Sequence, residues 1–201
     1  VSPTGSLLAL NSYENRVYQI ELADDTFCVT KFYRPNRWSD AQILEEHAFT
    51  AELMEHDLSA VGPAERDGTT LFDHQGFRFS VFPRQGGHPP NIEDPDTLEV
   101  LSRSLARLHN VGAVTAFQTR PEISPERLGA QSREFLLAES FIPTELLPAY
   151  TTITEQLLER IQPVFDGLPR QNWRRIHGDC HLGNLLWRDN TAHFVDFDDC
   201  V

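Results

Sequence analysis

The 201-residue chain is long enough to bury a core as one domain or two small lobes, and 40% hydrophobic with 10% aromatic content excludes a disordered segment. A formal charge of −13 speaks against a nucleic-acid backbone as partner, because such backbones select basic surfaces. No run approaches the roughly 18 apolar residues of a membrane-spanning helix, so no membrane partner is expected.

The opening VSPTGSLLAL has no basic stretch ahead of its apolar residues and does not read as a signal peptide. Without an initiating Met, the chain is expected to begin inside a longer protein. Next, Tyr18, Ile20 and Leu22 interleave with Val17, Gln19 and Glu21, and a polar turn over 23–26 leads into Phe27-Cys28-Val29-Thr30-Lys31-Phe32-Tyr33. Period and turn chemistry predict a β-hairpin ended by Pro35. Of the 17 basic residues, 16 are Arg, and the single lysine, Lys31, stands in the middle of the second strand.

Ser39 or Asp40 is placed to cap a helix over 41–54, with Ile43, Leu44, Ala48 and Ala51 assigned to its inner side. A second hairpin is predicted from 70–72 and 77–82 around His74-Gln75-Gly76, and a Gly/Pro-rich connector follows. Leu98, Leu101, Leu105 and Leu108 recur at helical spacing over 96–109, with Gly112 as a stop. Two further helices are expected near 125–140 and 143–165, then a short strand–loop–strand over 176–197. The fold class is α+β: a β-rich N-terminal lobe (1–83), a hinge (84–90) and a helical lobe (91–201), with ligand binding between the lobes. Cys28, Cys180 and Cys200 show no CxxC pairing and read as reduced thiols of a cytoplasmic protein.

The segment that carries chemistry is HGDCHLGNLLWRD (177–189) followed by DFDD (196–199). An Asp, an Asn five residues later and further carboxylates beyond a hairpin suit phosphoryl transfer, where rate comes from positioning and charge neutralisation. Asp179 is the candidate proton acceptor for an attacking hydroxyl. Asn184 and Asp196 offer hard oxygen ligands to Mg²⁺, and Asp198 is a candidate for a second ion. Lys31 would reach the α/β-phosphates of ATP across a gap wide enough for a triphosphate. A buried lysine needs a carboxylate, and Glu46, which shares a helix side with Phe49 and Leu53, is preferred over Glu45. His177 and His181 read as loop-fixing residues, because the His177, Cys180, His181 spacing fits no structural zinc site. Backbone groups around 82–84 are candidates for adenine.

At these residues the sequence resembles the protein-kinase-like phosphotransferases, a superfamily of aminoglycoside phosphotransferases, choline kinases and homoserine kinases. Their H-G-D-x-H-x-x-N…D-F-x-D signature is met in full, and LARLH (105–109) is a second shared feature. LNSYENRVYQ (10–19), KFYRP (31–35), WSDAQILEEH (38–47) and HGDCHLGNLLWRD (177–189) resemble one branch more closely, the bacterial stress response kinase A group.

That resemblance implies a bilobal protein-kinase-like fold and a cytoplasmic, Mg-ATP-dependent Ser/Thr protein kinase of stress responses acting on proteins or itself, and a monomer is expected. It also implies catalytic roles for Asp179 and Asp196, metal ligation by Asn184 and Asp196, and a nucleotide-covering loop using Ser12. LNSYENR lacks G-x-G-x-x-G, so phosphate cradling would fall to Ser12, Asn15 and backbone N–H groups. Relatives continue beyond the point where this chain ends, so the C-terminal lobe is expected to be truncated. A small-molecule hydroxyl kinase and a nucleotide-binding pseudokinase scaffold are the alternative readings.

Overall fold

The computed structural model describes residues 2–201. The chain forms two compact units, one running to Arg120 and resuming over Arg174–Cys200, the other comprising Pro121–Trp173 with Val201.

The first unit opens with a five-stranded antiparallel sheet in the order β1-β2-β3-β5-β4: β1 Pro3–Leu10, β2 Arg16–Leu22, β3 Phe27–Phe32, β4 Phe72–His74 and β5 Phe77–Pro83. β2 and β3 pair as expected, with Val17 opposite Lys31. β1 was not anticipated, because Pro, Gly and two adjacent leucines break any alternation and every residue of the strand is exposed. The β4–β5 loop is two residues, Gln75 and Gly76, both with positive φ (54° and 83°), the arrangement that matches strand twist in a tight hairpin.

Helix α1 (Asp40–Glu55) starts at Ser39, whose hydroxyl accepts from Gln42 N while the Gln42 side chain accepts from the Ser39 backbone, a complete capping box. Its inner face is Ile43, Glu46, His47, Phe49, Thr50 and Leu53. The assignment of Leu44, Ala48 and Ala51 to that face is corrected: all three are exposed. The buried stripe includes three polar side chains that serve the site, so apolarity alone does not mark it.

Helix α2 (Pro95–Gly112) is capped by Asp94, with Pro95 at the first helical position. Gly112 is required by packing: a Cβ there would lie 2.1 Å from the Arg175 carbonyl oxygen. A two-stranded hairpin, β6 (Leu185–Arg188) and β7 (Thr191–Phe194), turns through Asp189 and Asn190, again both at positive φ. The core joins these helices and the hairpin through Phe49, Leu53, Leu108, Leu185, Phe194 and Phe197. Phe49 meets Phe117 and Phe197 edge-on at centroid distances of 5.4 and 6.1 Å.

The second unit is helical. A short wide turn at Glu126–Ala130 feeds α3 (Gln131–Ala138), and α4 (Leu147–Asp166) follows. Gly129 admits Leu158, whose Cδ2 would be 2.6 Å from a Cβ at that position. Arg133 Nε donates to Thr154 Oγ1 at 2.9 Å, tying the two helices. Among the described residues no helix is long and apolar enough to cross a membrane.

Candidate active site

Strand pairing brings Val17, Val29, Lys31, Ser80 and Phe82 to one face of the sheet, because residues directly opposite and two apart share a face. Of these, Val17, Val29, Lys31 and Phe82 line a cavity of about 280 Å³, whose lining also includes Ser12, Glu46, Pro83, Gln85, Asn184 and Asp196. Apolar strand residues on one side and polar hairpin residues on the other suit a ligand with an aromatic part and a charged part.

Lys31 Nζ donates to Asp196 Oδ1 at 2.9 Å and lies 3.1 Å from Asp198 Oδ1 and 3.8 Å from Glu46 Oε1. Burial alone would lower the lysine pKa, but Glu46, Asp196 and Asp198 outweigh it and hold the ammonium well above its ordinary value. The expected gap between Lys31 and the acidic cluster is corrected: the groups touch, because an ammonium shielded from water satisfies itself directly on the nearest carboxylates.

Glu46 faces Lys31, whereas Glu45 turns the other way and accepts from the backbone of Gln118, Thr119 and Arg120. Burial pushes the Glu46 carboxyl up to about 7, with the charge of Lys31 pulling it back only in part. Beside it, His47 bonds Tyr33 Oη through Nε2 and Thr70 Oγ1 through Nδ1, both at 2.8 Å. Burial, and then the charge of Lys31, bring the His47 pKa down to about 4, so the ring is neutral.

Asp198 is buried and saturated by protein: Asn15 Nδ2 donates to Oδ2 at 3.2 Å, Arg37 pairs with the same oxygen, and Lys31 approaches the other. The Lys31 and Arg37 charges overcome the effect of burial and depress the Asp198 pKa. With its side chain 4% exposed against 49% for Asp196, Asp198 turns its carboxylate toward protein groups. Asn15 Oδ1 also accepts from Arg34 N at 3.1 Å, so this buried side chain braces β2 and the Asp198 loop from within the protein. Ser12 lines the cavity, and its hydroxyl accepts from Asn15 N at 3.2 Å.

Asp179 is exposed, and Asn184 Nδ2 donates to its carbonyl at 2.9 Å and to its Oδ2 at 3.3 Å. His177 is buried against Phe197 at 4.4 Å; it donates from Nε2 to Val195 O at 3.0 Å and accepts at Nδ1 from Asp179 N at 3.4 Å. One ring thus links the loop bearing Asp179 to the strand leading into Asp196, as expected of a loop-fixing residue. Gly178 has φ +82°, and a Cβ on it would sit 1.9 Å from the Asp199 carbonyl oxygen, so only glycine fits. Asp196 holds a left-handed backbone (φ 59°, ψ 66°) with its side chain 49% exposed, a strained conformation of the kind found where a carboxylate is aimed at a ligand. Sequence reasoning missed Arg37 and Arg120, which bind this loop from loops outside any recognisable motif.

Lys31 and the HGD…N…DFD loop brought together at one cavity make the site of a kinase-like phosphotransferase. Residues 6–201 match the phosphotransferase enzyme family, and the chain belongs to that family. Among curated proteins it is 40% identical over 199 residues to stress response kinase A of Escherichia coli K12, covering 96% of this chain. It is 39% identical to the serine/threonine protein kinase RdoA of Salmonella typhimurium LT2. The chain spans 58% of the length of these relatives. Solved structures of similar fold include an amicoumacin kinase in complex with AMP-PNP, Ca²⁺ and Ami, with a TM-score of 0.78 and 19% identity, covering 96% of this chain and 59% of that one. A microcompartment-associated aminopropanol kinase follows at TM-score 0.75 and 23% identity, covering 98% of this chain and 65% of that one.

Proposed function

We propose that the chain carries the nucleotide-binding and catalytic parts of an ATP- and Mg²⁺-dependent Ser/Thr protein kinase of a bacterial stress response, working in the cytoplasm. In this reading 1–83 is the nucleotide lobe, 84–90 the hinge and 91–201 the first part of the catalytic lobe. The observation that carries it is the contact between Lys31 and Asp196, 165 residues apart in sequence, at a cavity shared with Asn184.

Lys31, steadied by Glu46, meets the α/β-phosphates as a point charge, and Ser12 belongs to the loop above them. The Asn184 amide oxygen and the half-exposed Asp196 carboxylate suit Mg²⁺, which is commonly held by one or two such groups plus phosphate oxygens. The ion supplies charge neutralisation on the phosphates. Asp179, steadied by Asn184 and His177, orients the attacking hydroxyl and takes its proton. A new bond forms from the hydroxyl oxygen to the γ-phosphorus, the β–γ bridging bond breaks, and ADP leaves. Asp198 acts as a buried anchor for Lys31, Asn15 and Arg37.

The protein acceptor is supported by the 40% identity to stress response kinase A. The fold neighbours named for small-molecule kinases lie below 25% identity and bear on fold alone. Full-length protein given labelled ATP and Mg²⁺, with a generic protein and a panel of small alcohols side by side, should place label on serine or threonine of protein. Label confined to a small alcohol would replace this reading with a small-molecule kinase, and no transfer to any acceptor would leave the scaffold reading.

A further inference from the structure

The loop after Asp196 is a single tight turn, Phe197–Asp199, which satisfies Cys200 N on Phe197 O at 2.9 Å but leaves the carbonyls of Asp198 and Cys200 pointing into the protein. Buried carbonyls need donors, and a three-residue turn cannot supply them. Arg120 does. Its Nε donates to Cys200 O at 2.5 Å, its Nη2 to Asp198 O, and its Nη1 to Gln42 O of helix α1 at 3.0 Å. The same Nη1 lies 3.9 Å from Glu46 Oε2, and the guanidinium stacks over Trp38 at 4.5 Å.

The arginine is itself seated by Glu45. That carboxylate accepts from Arg120 N at 2.9 Å, Thr119 N at 2.8 Å and Thr119 Oγ1 at 2.7 Å. From the other side of the loop, Arg37 pairs with Asp198 and, at 2.6 Å, with Asp199. The backbone of the turn is therefore fixed by one guanidinium and its side chains by another, with Asp196 at the entrance.

We propose that Arg120 is a positioning residue for phosphotransfer: its buried fork ties the Asp196–Cys200 loop to helix α1 and so fixes the Asp196 carboxylate relative to Lys31 and Glu46. The reaction it serves rests on the kinase reading above; the clamp itself rests on geometry. Lysine keeps the charge but has no planar fork and cannot reach three carbonyls on two elements at once. A misplacement of about 1 Å at such a site can cost on the order of 10²-fold in rate.

The test uses full-length protein carrying Arg120→Lys, with Glu45→Gln as the milder variant that leaves the guanidinium in place. Hydrogen exchange over 196–200 should quicken about tenfold in Arg120→Lys while β2 and β3 exchange as in the parent. The Mg²⁺ concentration for half-maximal transfer should rise about tenfold and kcat should fall, with KM for the acceptor unchanged, a split that general loosening of the fold would not produce. Glu45→Gln should move the same readouts by about threefold. Parent-like loop exchange, or parent-like Mg²⁺ half-saturation, in folded Arg120→Lys overturns the proposal; if that variant does not fold, parent-like values in Glu45→Gln overturn it. If the parent transfers no phosphate, the kinase reading fails, and the exchange measurement alone then decides whether Arg120 holds the loop.

Discussion

Asp196 is the residue on which the site's geometry concentrates. Its backbone is left-handed, its carboxylate is half exposed, and one oxygen is already engaged by Lys31. Asparagine tolerates the left-handed region better than other non-glycine residues, so Asp196→Asn removes the charge with little backbone penalty. In the full-length protein this variant should stay folded and need at least about tenfold more Mg²⁺ for nucleotide binding, as read by calorimetry across a Mg²⁺ series. Unchanged Mg²⁺ dependence would remove Asp196 from the ligand set. Gly178 shows the opposite kind of constraint: no side chain fits between it and the Asp199 carbonyl, so its place in HGD follows from packing as much as from chemistry.

At the scale of elements, helix α1 is the connection between core and site. Phe49 and Leu53 anchor it in the core, while Glu46 and His47 on the same face reach Lys31 and Tyr33. Burying these two titratable groups side by side has a signature in pH. The Glu46 pKa is raised from 4.5 to about 7, so its contribution is full below about pH 4.5 and is lost as pH rises through 7. The His47 pKa is lowered from 6.5 to about 4, so folding binds fewer protons there and stability grows with pH over that window. In the parent the two slopes oppose each other. Glu46→Gln deletes the falling one, so its melting temperature should climb more steeply than the parent's between pH 5 and 7. Parallel melting curves across that range would mean that Glu46 is ionised throughout.

Over the whole molecule, what could be read from sequence was what short range encodes. Both hairpins of the sheet followed from alternation and turn residues, α2 from its leucine spacing, and the HGD…N…DFD loop from its spacing of hard ligands. The isolation of Lys31 among 16 arginines pointed to a site before any strand was paired. The inner face of α1 could not be read, because Glu46 and His47 are buried by partners more than ten residues away in sequence and not by their own apolarity. Arg37 and Arg120 escaped for the same reason: Arg37 meets Asp198 across 161 residues, and no local pattern records such a contact. The strand β1 escaped because its pairing with β2, and not its composition, makes it a strand.

In the proposed kinase, Asp179, held between His177 and Asn184, receives the proton of the attacking hydroxyl at the site formed by Lys31 and Asp196. Single-turnover transfer of labelled γ-phosphate by full-length Asp179→Ala, with nucleotide affinity measured alongside, tests it most directly. The expected rate is lower by about 10²–10⁴-fold, with nucleotide affinity within a few-fold of the parent. Transfer at a near-parent rate would contradict it.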